Sequence, residues 1–148
     1  MEHTLNVNKE NVYNEVAKTT SYTGAKMDDE AAYDRIFTTE EDKTMLERFW
    51  NESKNAIAGS LKKFLSDEQE EDGSYTLTLE LSASFDESLL LSMERSLFSF
   101  FVMNITAKWY TLSNKQEATD YAAGAAANVE DIMRKAFFKK KPKRPTYN

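Results

Sequence analysis

The fold of this 148-residue chain is decided by residues Tyr75 to Asn114, which read YTLTLELSASFDESLLLSMERSLFSFFVMNITAKWYTLSN. Apolar and polar residues alternate from Tyr75 to Phe85, and this period of two is typical of a β-strand. Asp86 follows with a side-chain oxygen that suits the free amides of a helix start. The residues after it are so apolar that the helix must be covered on most sides. We therefore predict a regular strand that passes abruptly into the longest and most apolar helix of the chain.

The composition is that of one folded domain. Hydrophobic residues make up 41% of the chain and charged residues 30%, a balance that supports a single core with a soluble surface. No cysteine is present, which excludes disulfides, thiolate metal sites and cysteine nucleophiles. The N-terminus lacks the features of a secretory signal, and the longest uncharged run, Ser96 to Ala107, is shorter than the roughly 20 residues that span a bilayer. We expect a soluble protein with no membrane contact.

Charge is distributed unevenly along the chain. The net charge is −6, and the last ten residues carry five positive charges and no acid, so the preceding residues carry −11. Three interpretations of this basic tail are open: a solvated terminus, an arm that binds nucleic acid, or a peptide that docks on an acidic partner. Because the acidic body repels duplex DNA, we favour docking or plain solvation.

Hydrophobic spacing predicts a single helical domain over residues 1–138, followed by a basic, proline-containing tail over 139–148. Long helices are predicted at Thr39–Ser66, Asp86–Asn114 and Lys115–Phe138. The β element at residues 75–85 lies between the first and second of them. The predicted fold class is mainly α, a helical bundle with one long β-strand or hairpin inserted before the two C-terminal helices.

Shorter elements are predicted before these helices. Thr4–Val7 suits a short strand, and Asn8 suits the cap of a helix that ends near Thr20. One or two helical turns are expected at Asp28–Phe37, and the following residues, Thr38–Glu41, fit a capping box. The domain therefore begins with small elements that need the later helices to cover them.

Large apolar residues at helical spacing are predicted to form the core rather than a ligand pocket. Those expected to be buried are Phe49, Trp50, Leu61, Leu97, Phe101, Ile105, Trp109 and Ile132. The stretch Ala122–Ala127, which reads AAGAAA, has almost no side-chain bulk. We expect it to pack against the bulky face around Phe101, Ile105 and Trp109, since small residues let another helix approach closely.

The acidic stretch Asp67–Ser74, which reads DEQEEDGS, has two interpretations. As a calcium loop with Gly73 at the turn, it would use Glu68, Glu70 and Asp72 as ligands, but the closing acid would then fall on Leu79 within the strand. The simpler interpretation is a solvated loop before the strand. We therefore expect no metal site.

Residues that could carry catalysis are scarce. The chain has four glycines and a single histidine, His3, so neither a phosphate-cradling loop nor a serine–histidine relay can be assembled. The first carboxylates to consider for a shifted pKa are Glu80 and Glu94. We expect a protein that is not an enzyme and that uses no cofactor.

The predicted strand lacks an evident partner, because Thr4–Val7 is too short to pair with all of it. Either another stretch of the chain pairs with it, or a neighbouring subunit does. The second alternative makes the strand a subunit interface through Tyr75, Leu77, Thr78, Leu79, Glu80 and Leu81.

The segment FFVMNITAKWYTLSNKQEA at Phe100–Ala118 joins the two last helices, with a β element before them and a Lys/Arg/Pro tail after them. In this order of features, Tyr75 to Arg144 resembles the head-to-tail connector (adaptor) proteins of tailed bacteriophages and prophages. The resemblance implies a structural virion protein in the neck, assembled in the cytoplasm of the bacterial host. It also implies a homo-oligomeric ring, commonly of twelve copies, beneath the portal protein, with DNA passing through the channel.

In this family resemblance the β element contacts a neighbour and the C-terminal segment reaches the portal or other neck and tail proteins. The residues that correspond to that segment here are Lys139, Lys140, Lys141, Pro142, Lys143 and Arg144. The long strand without a clear hairpin return departs from the family pattern. Two alternatives stay open: another ring component of the phage neck or tail, and a small regulator that binds nucleic acid.

Overall fold

The computed structural model describes residues 1–26 and 42–140. Within these ranges the elements follow in the order β1 (Glu2–Asn8), α1 (Lys9–Lys26), α2 (Asp42–Ser60), β2 (Leu65–Glu71), β3 (Ser74–Glu80), α3 (Leu90–Ser113) and α4 (Lys115–Ala136). A short 3-10 turn, Glu87–Leu89, precedes α3, and Asp86 caps it by accepting a hydrogen bond from the Ser88 amide at 3.1 Å. The described chain is mostly helical, with one small antiparallel sheet.

The sheet has the order β1–β3–β2, so the predicted strand is its central member. β2 and β3 form a hairpin, in which Asp72 and Gly73 make the turn with φ values of 50° and 78°. Two consecutive positive φ values define a type I′ turn, whose twist matches that of antiparallel strands. The interpretation of Asp67–Ser74 as a solvated loop is therefore wrong, because most of this stretch is strand and its glycine closes a hairpin.

The sheet also corrects the predicted fold class. β1 pairs along the whole of β3, with Glu2 opposite Glu80 and Asn8 opposite Ser74. The β element is thus a three-stranded sheet that includes the N-terminus, and not a single insertion before the C-terminal helices. The expectation of a mainly helical protein is confirmed.

Helix boundaries agree in part with the predictions. Asn8 caps α1 as expected, since its Oδ1 accepts a hydrogen bond from the Asn11 amide at 2.9 Å. α1 continues to Lys26 and does not end near Thr20, while α2 ends at Ser60 because the chain must turn into β2. The predictions for 28–37 and 38–41 lie outside the described residues.

The core lies between the inner face of the sheet and the helices. All eight residues predicted to form it are at most 6% exposed, which confirms that prediction. The ring centroids of Trp50 on α2 and Phe101 on α3 are 4.6 Å apart, and Tyr75 on β3 lies 5.9 Å from Phe101. These three rings join two helices to the central strand.

α3 and α4 pack closely at Gly124. A Cβ atom there would lie 2.5 Å from the Met103 Sδ, so only glycine allows the two helices to approach this closely without moving that side chain. The small stretch therefore packs on the face of α3 that carries Met103, whereas Phe101 of the predicted face lies against Trp50. No helix in the described ranges is long and apolar enough to cross a membrane.

Candidate functional site

Four of the six residues predicted to form a subunit interface, three on β3 and one directly after it, are buried within the chain. Tyr75, Leu77, Leu79 and Leu81 are between 0% and 4% exposed. Because β3 is paired on both sides, its backbone groups need no partner from another subunit. The reasoning that made this strand an interface is thus corrected by pairing within the chain.

The other two predicted interface residues lie at the surface. Thr78 is partly buried, and its carbonyl accepts a hydrogen bond from the Ser66 hydroxyl at 3.2 Å. Glu80 is exposed and binds the N-terminal amine of Met1, with 2.9 Å between the amine nitrogen and Oε1. Both residues therefore have a partner from their own chain, Thr78 through its backbone carbonyl and Glu80 through its side chain.

Within the part of the chain that the structure describes, the outer edge of β2 has no neighbouring strand. In a two-residue hairpin the residues that flank the turn, here Glu71 and Ser74, exchange both backbone hydrogen bonds. The backbone groups of Glu71 and Gln69 therefore point to β3, and those of Glu70 and Glu68 point away from it. Within residues 1–26 and 42–140, no backbone hydrogen bond joins Glu68 or Glu70 to a further strand.

The outer edge of β1 is different, because an acidic side chain occupies it. The Asn6 amide points away from β3 and donates a hydrogen bond to Oε1 of Glu94 on α3 at 2.9 Å. A carboxylate in this position blocks the approach of another strand. Of the two sheet edges, the edge of β2 and not that of β1 therefore has backbone groups available to an added strand.

Two carboxylates of β2 point to the inner face of the sheet, where they meet polar groups at the border of the core. Glu70 accepts a hydrogen bond from the Trp50 indole nitrogen at 3.3 Å and pairs with the Lys54 amine. Glu68 accepts a hydrogen bond from the Tyr75 hydroxyl. Burial and the neighbouring Glu68 raise the pKa of the Tyr75 phenol above its ordinary value. These bonds hold the edge strand against the core.

Glu47 on α2 extends this polar cluster to α1. Its two oxygens bind the Lys9 amine at 2.6 Å and the Tyr13 hydroxyl at 2.8 Å. Burial acts to raise the pKa of Glu47, but the hydrogen bonds from Lys9 and Tyr13 outweigh it and hold the pKa below its ordinary value. Burial and the bond to Glu47 raise the pKa of Tyr13. The cluster thus ties α1, α2 and β2 together through paired charges.

The opposite face of β2 carries Asp67, Gln69 and Glu71, which are exposed. With Glu68 and Glu70 on the inner face, acids occupy both faces of one strand edge. No group of three or more metal-binding side chains is found among the described residues. The calcium interpretation also conflicts with the geometry, since Glu70 is engaged by Lys54 and Gly73 closes the hairpin.

The basic tail leaves the domain from a fixed position. After α4, Lys139 forms a β-bridge with Phe85, and the Lys140 amide donates to the Ser84 carbonyl at 2.7 Å. Phe137 and Phe138 just before it are 54% and 50% exposed. Of the predicted partner-binding residues, Lys139 and Lys140 are exposed; those at 141–144 lie outside the described residues.

The carboxylates considered for catalysis have structural partners. Glu94 holds the edge of β1, and Glu80 binds the N-terminus. His3 lies 5.2 Å from the Phe85 ring, measured between centroids. These contacts place the three residues at different points of the sheet and do not bring them together.

The edge strand β2 was missed by the sequence analysis, although a signal for it was present. Asp72–Gly73 is a strong hairpin signal when strands flank it. The strand before it, however, is rich in acids and has no alternation of apolar residues, because it lies at the edge with both faces partly in water. The turn dipeptide, rather than hydrophobic periodicity, could have revealed it.

No family model matches the chain, and neither a curated protein nor a solved structure matches it.

Proposed function

We propose that this protein is a structural assembly protein of a tailed bacteriophage, a head-to-tail connector (adaptor) that forms a ring beneath the portal protein. The phage setting rests on the resemblance of Tyr75–Arg144 to that family. The assembly role rests on one observation: an acidic sheet edge that no strand of the described residues covers belongs to the same molecule as a basic segment that begins at the fixed residues Lys139 and Lys140. Surfaces of opposite charge on one chain favour contacts between copies.

The position of these two features supports a ring. The acidic edge is β2, and the basic segment starts at Lys139, beside Phe85. A contact between two different surfaces of identical subunits is heterologous, and such contacts generate closed rings when the rotation between subunits closes. A ring with the exposed tail base, Phe137–Lys140, on every subunit has the attachment points that a connector needs for the portal and for other neck or tail proteins.

The exposed apolar side chains at the base of the tail also favour a role in assembly. Phe137 and Phe138 are about half exposed, and the amine of Lys63 lies 5.0 Å from the centroid of the Phe137 ring. Aromatic residues next to cationic ones are frequent where proteins dock on each other. The tail base therefore offers both apolar area and charge to a partner such as the portal.

The proposal is tested by mixing the purified protein with the portal protein encoded in the same genome. We expect a complex that sediments faster than either component and that weakens as NaCl is raised from about 50 to about 500 mM, because salt screens the charged contacts. A control protein with exposed acids of α4 reversed, Asp120→Lys with Glu130→Lys, should still bind. Failure to bind the portal by a protein that also stays monomeric would contradict the proposal; salt-dependent binding of duplex DNA by the intact protein would favour a nucleic-acid regulator instead.

A further inference from the structure

We infer that the C-terminal segment Lys141–Arg144 of one copy adds as an extra strand to the outer edge of β2 in a neighbouring copy. This inference rests on the proposed ring, since it names the contact that joins successive subunits. Three features carry it: backbone groups at the edge that no described strand pairs with, acidic side chains beside them, and a basic segment in which Pro142 fits an outer strand.

The edge of β2 has the backbone groups that an added strand requires. The N–H and C=O groups of Glu68 and Glu70 point away from β3, and among the described residues no other strand forms hydrogen bonds with them. Bonds from these groups to an extended peptide give affinity without a pocket, as in other cases where a strand is added to a sheet. The hairpin turn and the Trp50–Glu70 hydrogen bond hold this edge in a fixed position.

The charges on β2 select the chemistry of its partner. Four of its seven residues, Asp67, Glu68, Glu70 and Glu71, are acids. A second β2 at this edge would place like charges directly opposite each other, which destabilises a strand pair. A basic extended segment is attracted instead, and residues 139–144 of this chain carry five positive charges with no acid. Edge acids thus disfavour a symmetric pair and favour a head-to-tail contact.

The prolines of the tail agree with an added outer strand. Pro142 has no N–H, so its neighbours Lys141 and Lys143 must supply the donors that face β2. In that register the nitrogen of Pro142 faces away from β2, where no donor is needed, and edge strands tolerate proline at such positions. Pro145 would occupy the next position at which an N–H must face β2. Because proline has no N–H, the pairing ends at Arg144.

The tail is long enough to pair with a β2 edge. Lys140 is held on Ser84, Phe85 next to it lies against His3 of β1, and Phe137 at the tail base packs on Phe64, just before β2. The eight residues after Lys140 span up to about 26 Å when extended. The seven residues of β2 span about 23 Å, and the four residues Lys141–Arg144 would pair along about 13 Å of this edge.

Two variants separate the two sides of the proposed contact. The first is truncated after Lys140 and keeps the acidic edge. The second carries Asp67→Lys and Glu71→Lys, which are exposed on the outer face of β2, and keeps the tail. The variant with Asp120→Lys and Glu130→Lys on α4 is the matched control, since it makes the same change of charge elsewhere.

Native mass measurement of each protein over a concentration series gives its oligomeric state and the concentration at which it associates. We expect the control to form the wild-type oligomer and each of the other two variants to need at least about tenfold more protein to associate, the factor that corresponds to about 1.4 kcal/mol. An equimolar mixture of the two defective variants should form a 1:1 dimer and no larger species. The truncated protein supplies an intact β2 edge but no tail, and the charge-reversed protein supplies a tail but no intact edge, so only one contact can form.

Other occupants of the edge predict other results. If the truncated protein forms the wild-type ring but no longer binds the portal, the tail serves the portal; the inference then fails while the proposed function stands. If the two defective variants stay monomeric when mixed, the tail covers the edge of its own chain or does not bind it, and the contact between copies is ruled out. If the wild-type protein is monomeric and does not bind the portal, both proposals fail.

A synthetic peptide of residues 139–148 tests the pairing of the backbone in the same contact. Bound to the truncated protein, it should lose at least about tenfold in affinity when the amide of Lys143 is N-methylated, since this donor faces β2. N-methylation of Arg144, whose donor faces solvent, should leave the affinity within about twofold. Equal affinities for the two methylated peptides would overturn the strand register.

Discussion

The indole nitrogen of Trp50 donates a hydrogen bond to Oε1 of Glu70 at 3.3 Å, which links a fully buried ring on α2 to the edge strand β2. Lys54 binds the other oxygen of the same carboxylate. An acidic residue on an edge strand is in this way used twice, to satisfy a buried donor and to fix the position of the edge. The edge that we propose as an assembly surface is therefore held by the core itself.

Replacing Glu70 with Ala should lower the free energy of unfolding by about 1–3 kcal/mol, because the indole N–H of Trp50 loses its partner at the border of the core. Glu71→Ala is the control, since this neighbour points to the outer face and is exposed. It should change stability by less than about 0.5 kcal/mol. Urea unfolding monitored by tryptophan fluorescence measures both, and equal effects would show that the inner-face bonds are not what holds β2.

The hairpin turn can be tested with two glycines. Gly73 has a φ of 78° in the turn, so Gly73→Ala should destabilise the protein by about 1 kcal/mol through backbone strain. Gly59 lies in α2, and the Cβ of an alanine at this position would have nothing within 4 Å, so Gly59→Ala should instead stabilise the protein by up to about 0.5–1 kcal/mol. Thermal unfolding of both variants checks the opposite signs, and a neutral Gly73→Ala would contradict the type I′ turn.

Glu47 should contribute stability that depends on pH. Its pKa in the folded protein is held below the ordinary value of 4.5, so its contribution is fully present above about pH 4.5 and is lost as the pH falls through the lowered pKa. The stability difference between the wild type and Glu47→Gln should therefore shrink as the pH is lowered from about 6 to about 3. Urea unfolding at each pH measures it, and a difference that stays constant would show that the bonds to Lys9 and Tyr13 do not depend on the charge.

Phe101 should be among the most sensitive positions of the core. Its ring is fully buried and lies between Trp50 and Tyr75, so Phe101→Ala should cost about 3–5 kcal/mol by leaving a cavity where α2, α3 and β3 meet. Leu112→Ala on the same helix is the control, because that side chain is 68% exposed. Denaturant unfolding of both variants measures the change in the free energy of unfolding. A change near zero for Phe101→Ala would mean that the ring is not part of the core.

The sequence predicted β3 and α3 because their burial is periodic and one-sided or complete, but the predicted strand over 75–85 was too long and its abrupt change to helix was wrong. β3 ends at Glu80, Phe85 pairs with Lys139 instead of extending β3, and α3 begins at Leu90 after the short 3-10 turn. Tyr75, Leu77 and Leu79 alternate with polar residues, and all three face the core. β2 could not be predicted in the same way, since its acids are stabilised by single bonds to Trp50, Lys54 and Tyr75 that have no signature in spacing. Pairing with β1 was underestimated because Glu2 and Asn8 are polar and exposed although they belong to the strand.

The face of α3 that meets α4 was also beyond the sequence. α3 is apolar on most sides, so periodicity cannot distinguish the side that packs on Gly124 from the side that packs on Trp50. The position of the tail base could not be predicted either, because the bond from the Lys140 amide to the Ser84 carbonyl involves only backbone atoms. Hydrophobic patterns define which residues are buried, while backbone bonds and polar side chains decide which elements become neighbours.

The native mass of the intact protein tests the assembly role most directly. Measured at micromolar concentration in about 50 mM and in about 500 mM NaCl, it should give a closed oligomer of one defined copy number at low salt, with dissociation toward the 17.0 kDa chain at high salt. A protein that remains a 17.0 kDa monomer at every concentration, both in low salt and with the portal protein added, would contradict the account.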